Sequence, residues 1–114
     1  MVLLPLEIAA TLPPLYSTEA QGLEALAQVK FFTPDGQWTW YAAEFDGADR
    51  FYGFVSGIEP EVGYFSLAEL RQVRGQLGLP VERDRSFEPT SLRQIMHERG
   101  VPRPDDAGPD DINR

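Results

Sequence analysis

Three short turns between four aromatic-rich runs constrain this chain more than any other feature. Val29-Lys30-Phe31-Phe32-Thr33 has the β-branched and aromatic content of a strand. Pro34-Asp35-Gly36 follows, in which proline presets φ at the first corner and glycine permits a positive φ. Trp38 to Phe45 reads as a second strand, Asp46-Gly47 opens another turn, and Phe51 to Ser56 is a third strand. Ile58-Glu59-Pro60-Glu61 turns again into a short fourth strand, Val62 to Phe65. Such close connections force antiparallel neighbours, because parallel pairing needs a long crossover. Alternation puts Trp38, Trp40 and Ala42 on one side of the second strand and Thr39, Tyr41, Ala43 and Phe45 on the other. Both sides carry aromatics, so either both are covered or one aromatic face is open. A large exposed apolar patch on a small protein marks a binding site.

Helix signals flank this core. Pro5 suits a first helical position, Leu4, Ile8 and Leu12 share a face, and Pro13-Pro14 ends the run. Leu23 to Ala27 is open between a helical turn and the lead-in to a strand. Ser66-Leu67-Ala68-Glu69 is a capping box, and Leu67, Leu70, Val73 and Leu77 follow it at helical spacing, which predicts a buried face. Gly75, Gly78 and Pro80 limit that helix. Val81 to Asp84 has the alternating charge of an edge strand. A last helix is expected after Pro89, with Thr90 or Ser91 as cap, Leu92, Ile95 and Met96 as its apolar stripe, and Gly100 as its stop. The expected class is α+β, a four- to five-stranded antiparallel meander with short helices packed mainly on one face. The alternative is a small SH3-like barrel. Residues 1–100 read as a single globular domain, and the Pro- and Asp-rich stretch 101–114 reads as a disordered acidic tail.

The 114 residues include no cysteine, which removes disulfides, thiolate nucleophiles and thiolate metal sites together and fits a reducing compartment. Met1-Val2-Leu3-Leu4-Pro5 lacks a basic n-region, and no apolar run approaches membrane-spanning length, so a cytoplasmic location is expected. Net charge is −8, with two basic and nine acidic side chains in residues 1–65, so the sheet half is the acidic end. That balance disfavours nucleic acid as a partner, because phosphate binding needs a basic surface.

Individual motifs are weak. Arg50-Phe51-Tyr52-Gly53-Phe54-Val55-Ser56-Gly57 partly matches the strand of an RNA-recognition motif, where Tyr52 and Phe54 would stack on bases. The hairpin at Pro34-Asp35-Gly36 stands where that fold needs a helix. Ser56 lacks the spacing of a hydrolase elbow. His97, the one histidine, is placed to favour a helix dipole near the last helix's C-terminus. Glu44, Asp46, Asp49, Glu59 and Glu61 cluster near two turns, without calcium-loop spacing. No cofactor, metal or catalytic residue is called for.

The strings Lys30 to Tyr41, Glu44-Phe45-Asp46-Gly47, Gly63-Tyr64-Phe65-Ser66-Leu67 and Leu77 to Asp84 resemble an uncharacterised bacterial family, domain-of-unknown-function family 2958. The resemblance covers most of Leu3 to Ile95. It implies a setting on plasmids and other mobile elements and brings no functional residue. With no cysteine, one histidine and no catalytic constellation, the aromatic surplus next to an acidic sheet leaves a non-enzymatic protein-interaction module as the leading expectation, with Trp38, Trp40, Tyr52 and Tyr64 as anchors. The alternatives are a DNA-mimicking acidic decoy built on Glu44, Asp46, Asp49, Glu59 and Glu61, single-stranded nucleic-acid binding on the aromatic sheet, and a carboxylate enzyme. The protein partner and the oligomeric state stay open.

Overall fold

The turn residues set the sheet. The computed structural model describes residues 2–101. In it the chain runs α1 (Leu6–Ala9), a kinked 3-10 stretch (Glu19–Glu24), β1 (Leu26–Ala27), β2 (Val29–Phe32), β3 (Thr39–Phe45), β4 (Arg50–Ser56), β5 (Pro60–Ser66), α2 (Leu67–Gln72), β6 (Glu82–Arg83), β7 (Thr90–Ser91) and α3 (Leu92–Glu98). Five strands form one antiparallel sheet in the order β5-β4-β3-β2-β6. This is the α+β meander that the turn spacing predicts, with β6 as the edge strand taken from the charge-alternating run. The sheet stays open, so the barrel alternative does not form. β1 and β7, two residues each, pair as a separate ribbon that the sequence did not announce. The expected tail falls, beyond Val101, outside the described residues.

Helices cover both faces of the sheet rather than mainly one. On the first face, Phe31, Trp40, Ala42, Phe45, Phe51, Val55 and Phe65 meet Leu3, Leu4, Leu12, Val81 and the buried residues of α2, Leu67 and Leu70. On the second, Tyr41, Ala43 and Phe54 meet Ala25, Ala27 and the α3 stripe of Leu92, Ile95 and Met96. An aromatic sheet side needs such cover, since each buried aromatic withdraws roughly 150–250 Å² from water.

A bulge in β3 corrects the simple alternation. Ala42 pairs with Gly53, but Glu44 pairs with Tyr52, so Ala43 is an extra residue with no partner in β4. Phe45 therefore joins the first face with Phe51, not the second with Tyr41. Gly53 makes the bulge possible: a Cβ there would lie 1.8 Å from the Tyr41 carbonyl oxygen.

Helix α2 begins as its capping box predicts, with the Ser66 hydroxyl accepting the Glu69 N–H at 3.3 Å. It ends at Gln72, so Leu77 is not on a buried helical face; it is 81% exposed. The Asp35 carboxylate competes for the chain at this point. Its Oδ2 accepts the Leu77 N–H at 2.6 Å and the Leu79 N–H at 3.2 Å. These bonds fold residues 74–80 into a loop closed by an Arg74–Pro80 bridge. Helix α3 follows the expected pattern, capped by Ser91, with His97 in its last turn.

Two turn carboxylates fasten the other end of the sheet. Asp46 Oδ1 accepts the N–H groups of Ala48, Asp49 and Arg50. Asp49 accepts the Ser66 hydroxyl at 2.7 Å and the Ala68 N–H at 2.8 Å, tying the β3–β4 turn to the start of α2. Both carboxyls are held below their usual value of 3.8, Asp46 mainly by the Asp49 N–H and Asp49 mainly by the Ser66 hydroxyl. A depressed folded-state pKa contributes stability above the unfolded value and loses it as pH falls through the folded value. The urea midpoint should therefore fall as pH drops below 3.8. The double variant Asp46→Asn/Asp49→Asn should show a flatter profile over that window. An unchanged slope would assign acid sensitivity to other carboxylates.

Candidate functional site

The bulge gathers a cluster that strict alternation would scatter. It sets Glu44 beside Tyr52, and Tyr52 pairs in turn with Tyr64, so the three form a cross-strand row on the second face. Glu44 is only 2% exposed. Burying a carboxylate is costly unless it is fully hydrogen-bonded. Its partners come from the loop before the 3-10 stretch: Oε1 accepts the Tyr16 N–H at 2.7 Å, and Oε2 accepts the Thr18 N–H at 2.9 Å and the Thr18 hydroxyl. Tyr16 adopts φ +70, a left-handed conformation that a bulky residue holds only under constraint. The Glu44 carboxylate supplies that constraint.

Tyr16 thereby stands against the row. Its ring meets Tyr64 edge-on at 6.3 Å, and Tyr52 meets Tyr64 at 5.3 Å with an interplanar angle of 57°. Three tyrosines, Thr18, Glu19, Gly22 and Glu44 line a half-open cavity of about 250 Å³. Tyr52's phenol is pushed up, first by burial and then by the charges of Glu44 and Glu19. The Arg50 guanidinium lies 5.9 Å from the Tyr64 ring and does not line the cavity.

A second site lies at the end of the sheet that carries the β2–β3 and β4–β5 turns. Trp38 is 39% exposed and stacks on buried Trp40, with centroids 5.8 Å apart and an interplanar angle of 21°. Gly57 backs the Trp38 ring; a Cβ there would lie 2.3 Å from it. The indole is thus pinned from two sides while one edge meets solvent. It borders a cleft of about 620 Å³, with Trp40, Val73, Arg74 and Gly75 among the walls. Ile58, next to Gly57, and Leu77 and Leu79, on the loop that Asp35 holds, are exposed.

The four anticipated anchors are therefore split, Trp38 and Trp40 at one end and Tyr52 and Tyr64 on the opposite face. Trp40 is buried, Tyr52 half-buried and Tyr64 50% exposed. The five acidic residues are not brought together either. Glu44 is buried, Asp46 and Asp49 sit at the β3–β4 turn, and Glu59 and Glu61 sit at the far end of the β4–β5 ladder. Phe54, the second stacking residue of the RNA-motif reading, is fully buried in the core beneath α3. Tyr16 and Thr18 were missed, because nothing local in a loop reveals a partner that lies 28 or 26 residues away. One signal did exist: a glycine inside a strand, Gly53, marks a bulge or a close backbone approach.

A family profile described as protein of unknown function (DUF2958) matches residues 3–96. The chain belongs to this family. Both sites lie within the matched residues, so the sheet, its bulge, the tyrosine cavity and the Trp38 cleft all fall inside the DUF2958 region. No curated protein and no solved structure gives a significant match. Among the described residues, no helix is long and apolar enough to cross a membrane.

Proposed function

We propose that this DUF2958 chain is a non-enzymatic protein-interaction module that contacts its partner through the end of the sheet around Trp38. The observation that carries this reading is an indole held rigid on Trp40 and Gly57 yet open at the edge of an aromatic-walled cleft. Pre-ordered aromatics lose little side-chain entropy on binding, and tryptophan is enriched among the residues that dominate interfaces. Ile58, Leu77 and Leu79 add exposed apolar side chains on the turn after Gly57 and on the loop that Asp35 holds. Such a module would suit an accessory protein of a mobile element, a setting whose support is the family resemblance alone. The acidic-decoy and nucleic-acid readings draw less support, since four of the five carboxylates divide between opposite ends and Phe54 is buried.

The test is capture from lysate of the source cells, with nuclease present, using wild-type and Trp38→Ala baits side by side. A partner retained in stoichiometric amount by wild type should fall at least about tenfold with Trp38→Ala, the loss of one hot-spot anchor. Circular dichroism should show the variant folded, because Trp38 is part-exposed and Trp40 keeps the core beneath it. Equal capture by both baits, or none by either, would defeat the proposal.

A further inference from the structure

The tyrosine cavity on the second face has a chemistry separate from the Trp38 surface. Three aromatic rings line it, with Tyr64 at 60° to Tyr16 and at 57° to Tyr52. The faces of such rings attract cations through their quadrupoles, and aromatic cages are the usual receptors for quaternary ammonium groups. The floor is Glu44, a buried carboxylate, and Glu19 stands at the lining as a second acid; no basic residue lines the cavity. At about 250 Å³ the space is below the usual range of drug-sized pockets, so it suits a head group rather than a whole ligand.

The hydrogen bonding narrows the choice of cation. Glu44 spends Oε1 on the Tyr16 N–H and Oε2 on two Thr18 donors. It supplies negative charge to the cavity with little acceptor capacity to spare. A primary ammonium is strongly hydrated, and its three N–H donors would have to exchange that hydration for the Glu19 carboxylate and the phenol oxygens of the lining. A quaternary ammonium has no donor to satisfy. We propose that the cavity formed by Tyr16, Tyr52, Tyr64 and Glu44 binds a trimethylammonium group, as on a free choline-like molecule or a trimethylated lysine side chain. Burial is the first cause of the raised Tyr52 phenol; the charges of Glu44 and Glu19, which come after it, are the part that would also hold the cation.

The experiment is an NMR chemical-shift titration of the full chain with tetramethylammonium chloride, against sodium chloride at equal ionic strength. Saturable shifts should centre on Tyr16, Tyr52 and Tyr64, with a dissociation constant on the order of 1 mM or tighter. Methylammonium and the neutral carbon isostere of choline should each bind about tenfold more weakly. Tyr64→Leu, at a half-exposed position, should weaken tetramethylammonium binding about tenfold while the protein stays folded. Glu19→Gln should weaken it severalfold without touching the buried Glu44 network. Choline and a trimethyllysine peptide, titrated in parallel, separate the two sources: tighter choline assigns a small molecule, tighter peptide a protein side chain. Non-saturating shifts, equal binding of the neutral isostere, or an unchanged constant in Tyr64→Leu would overturn the proposal.

Discussion

Glu44→Ala should cost the fold about 3 kcal/mol in urea unfolding at neutral pH. The carboxylate is the shared acceptor for the Tyr16 N–H, the Thr18 N–H and the Thr18 hydroxyl, and Thr18 is itself buried. Each buried donor left without a partner costs roughly 1–3 kcal/mol. Two effects reduce the sum: the Tyr16 N–H is only part-buried, so a loosened loop lets water replace the carboxylate there, and release of the loop returns part of the strain at its positive φ. Thr18→Val in the same background tests the mechanism. If the two residues act through one network, the double variant loses clearly less than the two single losses added. A loss below about 1 kcal/mol for Glu44→Ala would mean that water replaces the carboxylate and that the loop does not depend on it.

That dependence explains what could be read from the chain alone and what could not. The strands were legible because their turns are local: Pro34-Asp35-Gly36 and Asp46-Gly47 fix chain reversal within a few residues. The caps of α2 and α3 were legible for the same reason, since Ser66 and Ser91 act three residues ahead. The site was not local. A one-residue insertion in β3 exchanges the faces of everything beyond it, and alternation cannot see an extra residue. Glu44 thus read as one member of an acidic surface, when the bulge turns it into a buried acceptor. Leu77 read as helical because its spacing fits; the Asp35 carboxylate, 42 residues earlier, takes its N–H instead. In each case the winning interaction joined residues far apart in sequence.

The same geometry that builds the site also concentrates the stability of the opposite face in one ring. Phe51→Ala should destabilise the protein by about 3–5 kcal/mol, the usual range for truncating a buried aromatic. Phe51 is fully buried and its ring lies against three others, Phe45 at 4.6 Å, Phe65 at 5.1 Å and Phe31 at 5.6 Å. The Phe45 contact exists only because the bulge rotates Phe45 onto this face. Strands β2, β3, β4 and β5 all meet at that ring, so collapse around the vacancy would require all four to shift, and the cavity should persist. An apolar cavity of that size stays dry and accepts benzene. The urea midpoint of Phe51→Ala should therefore rise in benzene-saturated buffer while wild type is unmoved, by the linkage between ligand binding and folding. A loss below about 1.5 kcal/mol, the range of well-tolerated core swaps, would show that the neighbours close in and that the four-strand junction is softer than its geometry implies. A full-sized loss without benzene rescue would place the deficit in the register of β3 on β4 rather than in the space left behind.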